Sequence, residues 1–336
     1  MTSNFDKVIS GTSATEARTL KILCVGRVCL DIIQTCVQYP SEDSTQRIDY
    51  SHCPMIKDSG CPVATIILNS TNGSRTIVYH NQGLPDLTQE IFEQLNLEEY
   101  SWIYFESYNN SLNSMSDRMP ITISAEFENP SIELMDLLPY VDVAFVSKDF
   151  VKNLGFNNMS EVIHNIDQDI KNAIICAWAE EGAIARAPCG AIVQSSAFPP
   201  EKVIDTLGAG DTFNAAVIYY LNKSKVEFMH KYKEEAASTS DTNQTEDNVS
   251  DNGTAVKRDI EENLDPESLG YDRLKFITET VLQKAIKIGC RIAGAKVGLR
   301  GYDNLDTWAT KMTAIKIGYR IAGAKVGLRE YDNLDI

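Results

Sequence analysis

Apolar residues along the chain cluster in short runs that predict the buried strands of an α/β fold. The runs are rich in β-branched and aromatic residues, and from residue 100 onward they alternate with stretches of helical spacing. Such alternation predicts a parallel sheet covered by helices. The predicted strands are Leu20–Gly26, Thr65–Leu68, Thr76–Tyr79, Trp102–Phe105, Ile121–Ser124, Val141–Val146 and Ala173–Trp178, and the predicted helices lie near residues 87–97, 131–138, 148–154 and 160–171.

The alternation is interrupted twice. Neighbouring parallel strands need a crossover connection, which is usually a helix. Residues 34–64 contain no helical apolar stripe, and Tyr108–Pro120 forms a polar loop between two strands. The two strands on either side of Asn69–Ser74 predict a β-hairpin.

The stretch from Val203 to Ala216 carries the clearest chemistry. A small-residue turn, Gly208-Ala209-Gly210-Asp211, leads into an apolar helix. The first N–H groups of a helix lack intrahelical partners and lie at the positive end of its dipole, so they can bind an anion. Asp211 could accept a proton from a hydroxyl beside them, which indicates phosphoryl transfer to an alcohol. A Gly-x-Gly turn taken alone is more often a capped helix start, with Asp211 as a first-turn acid.

A second carboxylate, Asp31, follows the first predicted strand at the end of an apolar run. At the carboxyl edge of a parallel sheet it would lie where open α/β sheets bind their ligands. On spacing alone, a turn or cap aspartate is equally compatible with this position.

Charge and cysteine content exclude several classes of function. The net charge of −16 argues against nucleic acid or an anionic membrane as a partner, and no apolar run reaches membrane-spanning length. Glu234–Glu267 contains eleven acidic and two basic residues, so the charge is concentrated there. The eight cysteines show no zinc-type spacing, and several lie in strand-like runs. We therefore expect free thiols and a reducing, cytoplasmic location.

The C-terminal third divides into an insert, a helix and a duplication. The helix after Asp211 is expected to end near Asn222, and residues 223–267 are expected to form an acidic disordered insert. A helix then resumes with one apolar face. The segment Ala285–Asp306 recurs as residues 314–335. Only one copy can dock in a given groove, and the first has the longer amphipathic lead-in. Its apolar face carries Leu274, Ile277, Val281, Ala285, Ile288 and Ile292.

The segment Asp205-Thr-Leu-Gly-Ala-Gly-Asp-Thr-Phe213 resembles the C-terminal signature of the ribokinase (phosphofructokinase B-type) carbohydrate kinases. This resemblance implies a ribokinase-like three-layer α/β/α sandwich with a small β-hairpin lid. It also implies phosphorylation of fructose at O1 with ATP and Mg²⁺, and a homodimer formed through the lid. Further matching stretches in family order are Ile22–Gly26, Leu30-Asp31, Asn72–Val78, Phe145–Asp149, Cys176–Gly182, Ala197–Pro200, Gly289–Gly294 and Gly298-Leu299.

The resemblance also implies a division of the chain. Residues 20–222 and 268–306 would form the kinase domain, with the hairpin lid within residues 34–80. Residues 1–19 would be a disordered tail, and residues 307–336 would be the duplicated segment.

The resemblance assigns roles to individual residues. Asp211 would be the base that deprotonates the sugar hydroxyl, with the anion hole formed by Gly208, Ala209 and Gly210. Asp31 would hydrogen-bond sugar hydroxyls, and the planar guanidinium of Arg75 would reach the ATP phosphates. The remaining nucleotide-binding residues would be Ala179, Glu180, Glu181 and Gly182, together with Phe198, Pro199 and Cys290 near the adenine.

The chain departs from the family pattern in the sugar-binding and metal-binding segments. The Gly-Gly-Asn segment that the family places after its first hairpin is absent, so elements are missing after residue 50. The helix that the family would have near residue 112 is also missing. Ser147-Lys148-Asp149-Phe150 replaces the usual Asn-x-x-Glu metal motif. Two hypotheses follow: an ATP-dependent fructokinase, or a catalytically impaired relative that keeps a nucleotide cleft. Because sugar contacts are missing, we expect fructokinase activity to be low. We expect nucleotide binding to survive.

Overall fold

The computed structural model places most of the predicted elements in two separate sheets. Predictions for residues 1–19, 242–267 and 307–336, and for the two connections at residues 33–59 and 107–120, lie outside the described residues. The structure describes residues 22–25, 30–32, 60, 62–68, 75–83, 85, 88–97, 100–106, 121–128, 132–166, 171–241 and 274–300.

The larger sheet has seven strands in the order β1-β5-β6-β7-β8-β9-β10. The first five strands of this order pair in parallel, and β9 and β10 add antiparallel neighbours at one edge. The inner strands are buried on both faces, as their continuous apolar runs predict. The strands are β1 Ile22–Val25, β5 Trp102–Phe105, β6 Thr122–Phe127, β7 Val143–Ser147, β8 Ala173–Ala177, β9 Ala183–Arg186 and β10 Ile192–Ser195.

Two hydrophobic clusters lie on opposite faces of this sheet, since successive side chains of a strand point to opposite sides. Ile103 and Phe105 belong to one cluster, and Trp102 and Tyr104 belong to the other. The first cluster includes residues of a 3-10 helix and two short α-helices. The second includes residues of two long helices. These helices are the 3-10 helix Ile132–Tyr140, α2 Lys148–Asn153 and α3 Met159–Asn165 on the first face, and α4 Ala209–Asp241 and α5 Glu279–Val297 on the second.

The two long helices pack closely because α5 carries a glycine where they touch. A Cβ atom added at Gly289 would come within 2.7 Å of the Phe213 ring of α4. The helix α5 belongs to the first copy of the duplicated segment, as its longer apolar lead-in predicts. The expected end of α4 near Asn222 is wrong, because the helix continues to Asp241. Val226 and Phe228 remain partly buried beyond Asn222 and extend the apolar side of the helix.

The smaller sheet has three strands, β2 Leu30–Ile32, β3 Val63–Leu68 and β4 Arg75–His80. The strands β3 and β4 are antiparallel and form the predicted hairpin, and β2 pairs in parallel with β3. Ile67, Val78 and Tyr79 of this sheet are 59%, 56% and 47% exposed. A short helix, α1 Gln89–Phe92, connects this part of the chain with the larger sheet.

Strands β9 and β10 were not predicted from the hydrophobic pattern. Both strands are only four residues long, β9 is buried along its whole length, and β10 exposes Ile192 and buries Ser195, so neither shows a period-2 pattern of apolar residues. Among the residues that the structure describes, no helix has the length and apolar composition needed to cross a membrane.

Candidate active site at the Asp205–Asp211 turn

The turn at the start of α4 has the backbone that its glycines predict. Gly208 has φ of +70°, in the left-handed region that favours glycine. Its carbonyl accepts hydrogen bonds from the Thr212 amide at 2.9 Å and from the Thr212 hydroxyl at 2.6 Å. The Ala209 amide donates to the Thr206 carbonyl at 3.3 Å. The turn is therefore a defined structure that leads directly into the helix.

Space is open on one side of this turn. A Cβ atom added at Gly210 would meet no heavy atom within 4 Å. Asp211 lies in the first turn of α4 and is half-buried. Open space beside helix N-terminal amides is what an anionic group needs in order to approach the backbone. The predicted base and the predicted anion hole thus lie together at the N-terminus of a long helix.

The opposite side of the turn is held by a buried ion pair. The Lys296 ammonium lies 2.7 Å from Asp205 Oδ2 and donates to the Asp205 carbonyl at 3.1 Å. The Lys296 and Asp205 side chains are 0% and 4% exposed. Asp205 Oδ1 also accepts a hydrogen bond from the Leu207 amide at 2.9 Å. The C-terminus of α5 is thereby connected to the segment that enters the turn.

Neither Asp205 nor Lys296 was among the predicted site residues, although the sequence contains a signal for both. Asp205 begins the signature segment. Lys296 follows Ile292 by four residues, so it falls on the buried face of an amphipathic helix. A charged residue on a buried face predicts a buried partner, because an unpaired buried charge is costly.

The predicted nucleotide segment Ala179–Gly182 lies after β8, and most of its residues are at the surface. Ala179–Glu181 form a 3-10 helix, and Ala179 has φ of +45°, an uncommon value for a residue other than glycine. A Cβ atom added at Gly182 would lie 2.1 Å from the Ser195 carbonyl oxygen, so the segment packs tightly on the end of β10. That close approach requires glycine.

A surface ion pair lies at this segment. The Lys148 ammonium is 2.7 Å from Glu180 Oε1, and it also lies 5.6 Å from the centre of the Trp178 ring. The hydrogen bond from Lys148 lowers the pKa of the Glu180 carboxyl. Lys148 begins helix α2, immediately after the carboxyl end of β7.

The structure packs Phe198 against α5, the helix that carries Cys290, and Pro199 follows Phe198 at the surface. A Cβ atom added at Gly294 would lie 2.0 Å from the Phe198 carbonyl oxygen, and the Arg291 guanidinium lies 5.0 Å from the centre of the Phe198 ring. Cys290 is buried on the same helix, and burial raises the pKa of its thiol to about 11. Segments 179–182 and 198–200 and helix α5 are thus contiguous.

The other two predicted residues, Asp31 and Arg75, lie in the smaller sheet. Asp31 pairs in register with Ala64 of β3, and Arg75 pairs with Leu68. The strand hydrogen bonding that the structure describes does not connect this sheet with the larger one. The backbone therefore places both residues in a different sheet from the one on which α4 packs.

A buried polar cluster lies one helical turn from Asp211. Asn214 Nδ2 donates to Glu126 Oε1 at 3.0 Å, and the Tyr104 hydroxyl donates to Glu126 Oε2 at 2.7 Å. Glu126 is near the carboxyl end of β6, and Tyr104 is near that of β5. This cluster ties the first turns of α4 to the edge of the sheet where ligands bind in α/β folds.

The residues in place of the family's metal motif act as a helix cap. Ser147 Oγ accepts a hydrogen bond from the Phe150 amide at 3.1 Å, which caps the N-terminus of α2. Among the described residues, no three His, Cys, Asp or Glu side chains form a group that could hold a metal ion.

Comparison with known proteins identifies the family. Residues 38–238, more than half of the chain, match the model of the pfkB family carbohydrate kinases. The chain belongs to the pfkB family of carbohydrate kinases. Ketohexokinase from Mus musculus is 29% identical over 348 residues, which cover 85% of this chain and 98% of that protein.

Solved structures agree with the fold. A fructokinase double mutant from Vibrio cholerae O395, solved with fructose, ADP and a potassium ion, has a TM-score of 0.52 at 12% identity and covers 89% of this chain and 95% of its own. Ribokinase from Giardia lamblia has a TM-score of 0.50 at 13% identity, covering 73% of this chain and 69% of its own. The predicted ribokinase-like α/β sandwich is confirmed, and the enzyme class is that of an ATP-using sugar kinase.

Proposed function

We propose that this chain transfers the γ-phosphoryl group of ATP to a hydroxyl group of fructose, with Asp211 as the general base. The observation that carries the proposal is the Asp205–Asp211 turn, which is held on its buried side by Lys296 and is open at Gly210. Fructose is supported by the similarity to a ketohexokinase along nearly the whole chain. The fold likeness to a fructokinase agrees with this assignment.

In this mechanism Asp211 accepts the proton of the attacking hydroxyl group. Amides of the first turn of α4, among them that of Gly210, stabilise the negative charge that grows on the transferred phosphoryl group, while the Ala209 amide holds the turn through its hydrogen bond to the Thr206 carbonyl. Both contributions are strongest in the transition state, so they raise turnover more than they tighten substrate binding. The reaction needs mainly positioning and charge stabilisation, which a rigid turn provides.

The nucleotide is expected to lie against the surface formed by α5 and the segments 179–182 and 198–200. Their tight packing at Gly182 and Gly294 supports this placement, because it makes one continuous wall. Arg75 is expected to contact the phosphates. Mg²⁺ would enter bound to the ATP phosphates and water, as is usual for this ion in kinases, and would neutralise part of their charge.

A second candidate function is nucleotide binding without efficient sugar phosphorylation. The absence of any Gly-Gly-Asn segment in the chain favours it. Each lost hydrogen bond to a substrate costs about 0.5–1.5 kcal/mol, so the loss of several would raise the KM for fructose by orders of magnitude. The two candidates share the nucleotide site and differ in how they hold the sugar.

Replacement of Asp211 tests the proposed base. Asp211→Asn should lower kcat by about 10²–10⁴-fold and leave the affinity for MgATP nearly unchanged, because a base acts in the transition state. ADP release coupled to fructose addition measures turnover, and calorimetry measures nucleotide binding. Glu279→Gln is the matched control, since Glu279 is an exposed first-turn acid of α5.

Retention of most turnover by Asp211→Asn would show that Asp211 only stabilises the helix start. The assay also separates the two candidates. Turnover of the unmodified chain at high fructose supports the kinase, whereas MgATP binding without turnover supports the second candidate. A variant with a family-type Gly-Gly-Asn segment inserted after Tyr50 should show a much lower KM for fructose.

The smaller sheet supports a homodimer as a further part of the proposal. Ile67 pairs with Thr76, so Ile67 and Val78 lie on the same face of this sheet, where they are exposed and a second copy would cover them. Val78→Lys should therefore lower the mass measured by sedimentation toward that of one chain. Ser160→Lys is the control, because Ser160 is exposed on α3, which packs on the larger sheet. A monomeric unmodified chain would contradict the dimer.

The proposed location is the cytoplasm. The buried free thiols of Cys176 and Cys290 support a reducing compartment.

A further inference from the structure

The most buried charge in the candidate site belongs to a residue outside the predicted catalytic set. Lys296 is completely buried in the last turn of α5, where a cation is favoured by the helix dipole. A buried ammonium is costly unless it is paired and hydrogen-bonded. Its acceptors include the carboxylate and the carbonyl of Asp205. The partners are 91 residues apart in the chain, so only the tertiary fold joins them.

Asp205 receives hydrogen bonds from two directions. Its Oδ2 accepts from Lys296 and its Oδ1 from the Leu207 amide. The amides of Ile204 and Asp205 donate to the Val297 carbonyl at 2.9 and 3.2 Å. The residues that precede the turn, Ile204 and Asp205, are thus fixed to the end of α5 by their backbone amides and by the Asp205 side chain. Gly208 follows Leu207 directly, and Asp211 comes three residues after Gly208.

We propose that Lys296 is a positioning residue that acts through Asp205 to set the conformation of the Gly208–Asp211 turn. The proposal deepens the proposed function, on which its kinetic part rests. Because Lys296 and Asp205 neutralise each other, the effect is geometric and does not come from added positive charge at the phosphate. Oriented amides stabilise a transition state only when they are held in place, and an error of about 1 Å can cost 100-fold in rate.

The main test replaces the charged pair by a neutral pair of similar size, Asp205→Asn with Lys296→Met. Replacement of a whole buried pair often leaves stability nearly unchanged, whereas removal of one partner does not. The double variant should therefore fold, as judged by its urea midpoint. We expect kcat with fructose to fall by about 100-fold, with a smaller change in the KM for ATP.

Hydrogen exchange supplies a readout that does not depend on activity. In the double variant the amides of residues 207–210 should exchange faster than in the unmodified chain, while those of residues 213–221 in the same helix keep their protection. Lys287→Met, on the exposed side of α5, is the matched control and should change neither exchange nor kcat. The single variant Lys296→Met is compared in the same experiment.

Faster exchange confined to residues 207–210 supports the proposal, whether or not the unmodified chain phosphorylates fructose. If the unmodified chain shows no turnover, only the proposed function fails. For a chain without turnover, the affinity for MgATP replaces kcat and should fall by about tenfold in the double variant. Unchanged exchange at residues 207–210, or unchanged kcat and MgATP affinity in a folded double variant, would overturn the proposal. Loss of protection throughout α4 would also overturn it, because it would assign the pair a general structural role.

Discussion

Two ion pairs in this protein have the same length and opposite surroundings. Lys296–Asp205 and Lys148–Glu180 both have a nitrogen–oxygen distance of 2.7 Å. The first pair is buried behind the turn, with exposures of 0% and 4%, and the second lies at the surface, with exposures of 24% and 71%. Water screens the surface pair and can replace either partner, but it cannot reach the buried pair. Burial, and not the nitrogen–oxygen distance, therefore decides how much each pair contributes to stability.

The two regions of the candidate site differ in burial in the same way as the two ion pairs. The Asp205–Asp211 turn is connected to α5 by buried hydrogen bonds, so we expect its geometry to be rigid. The Ala179–Gly182 segment carries exposed carboxylates and is held by the packing of Gly182 against Ser195 and by a backbone hydrogen bond from the Trp178 amide to the Gly182 carbonyl. Chemistry that needs fixed amides would use the first region, and recognition of a nucleotide that enters from solvent would use the second.

The largest predicted effect on stability comes from breaking the buried pair. Lys296→Met leaves the Asp205 carboxylate buried without its cation and should cost about 3–5 kcal/mol of unfolding free energy. Urea denaturation measures this loss. The addition of Asp205→Asn should recover much of it, because no unpaired charge then remains. If Lys296→Met were as stable as the unmodified chain, burial would not explain a difference in stability contribution between the two ion pairs.

A smaller effect is expected from crowding the contact between α5 and the nucleotide segment. Gly294→Ala places a methyl group against the Phe198 carbonyl oxygen, and backbone atoms must move to accommodate it. Such overpacking costs about 1–3 kcal/mol. Because segment 198–200 would shift, the affinity for MgATP should fall as well. Thermal unfolding and calorimetry check the two effects on the same sample.

Gly210→Ala is the control for this substitution, because its added methyl group would meet no protein atom. Its stability should stay within about 0.5 kcal/mol of the unmodified chain. Its turnover should nevertheless fall, since the methyl group occupies the space through which a phosphate approaches the amides. A large loss of stability in Gly210→Ala would contradict the open side of the turn.

The smallest effect is expected from the surface pair. Lys148→Met should cost about 0.2–1 kcal/mol, and the cost should shrink further at high salt. Removal of the hydrogen bond from Lys148 should raise the pKa of Glu180, which NMR titration of its carboxyl group can follow. A carboxyl group whose pKa is lower in the folded than in the unfolded state stabilises the fold at pH values above its unfolded pKa. This contribution is lost as the pH falls through the folded pKa. Lys148→Met should therefore flatten the acid limb of the stability profile.

Several parts of the fold could be predicted because they depend on local sequence. The apolar runs at residues 102–105 and 173–178 are strands, and the small-residue turn at Gly208 opens a helix, since glycine permits its positive φ. Strands β9 and β10 were missed because strands of four residues have little period-2 signal. The roles of Asp211, Gly208, Ala209 and Gly210 remain predictions, which the Asp211→Asn and Gly210→Ala experiments address.

The class of fold, the turn and the family resemblance could be predicted from the amino-acid sequence, because they depend on residues that lie close together in the chain. Tertiary structure alone decided that Lys296 of α5 would pair with Asp205 before the turn, and that Gly294 would bring α5 onto Phe198. Contacts between distant segments depend on how helices and sheet pack, and hydrophobic periodicity does not specify which buried charges meet. The physical reason is that an unpaired charge cannot stay in the core, so the packing that buries Lys296 must also supply its carboxylate.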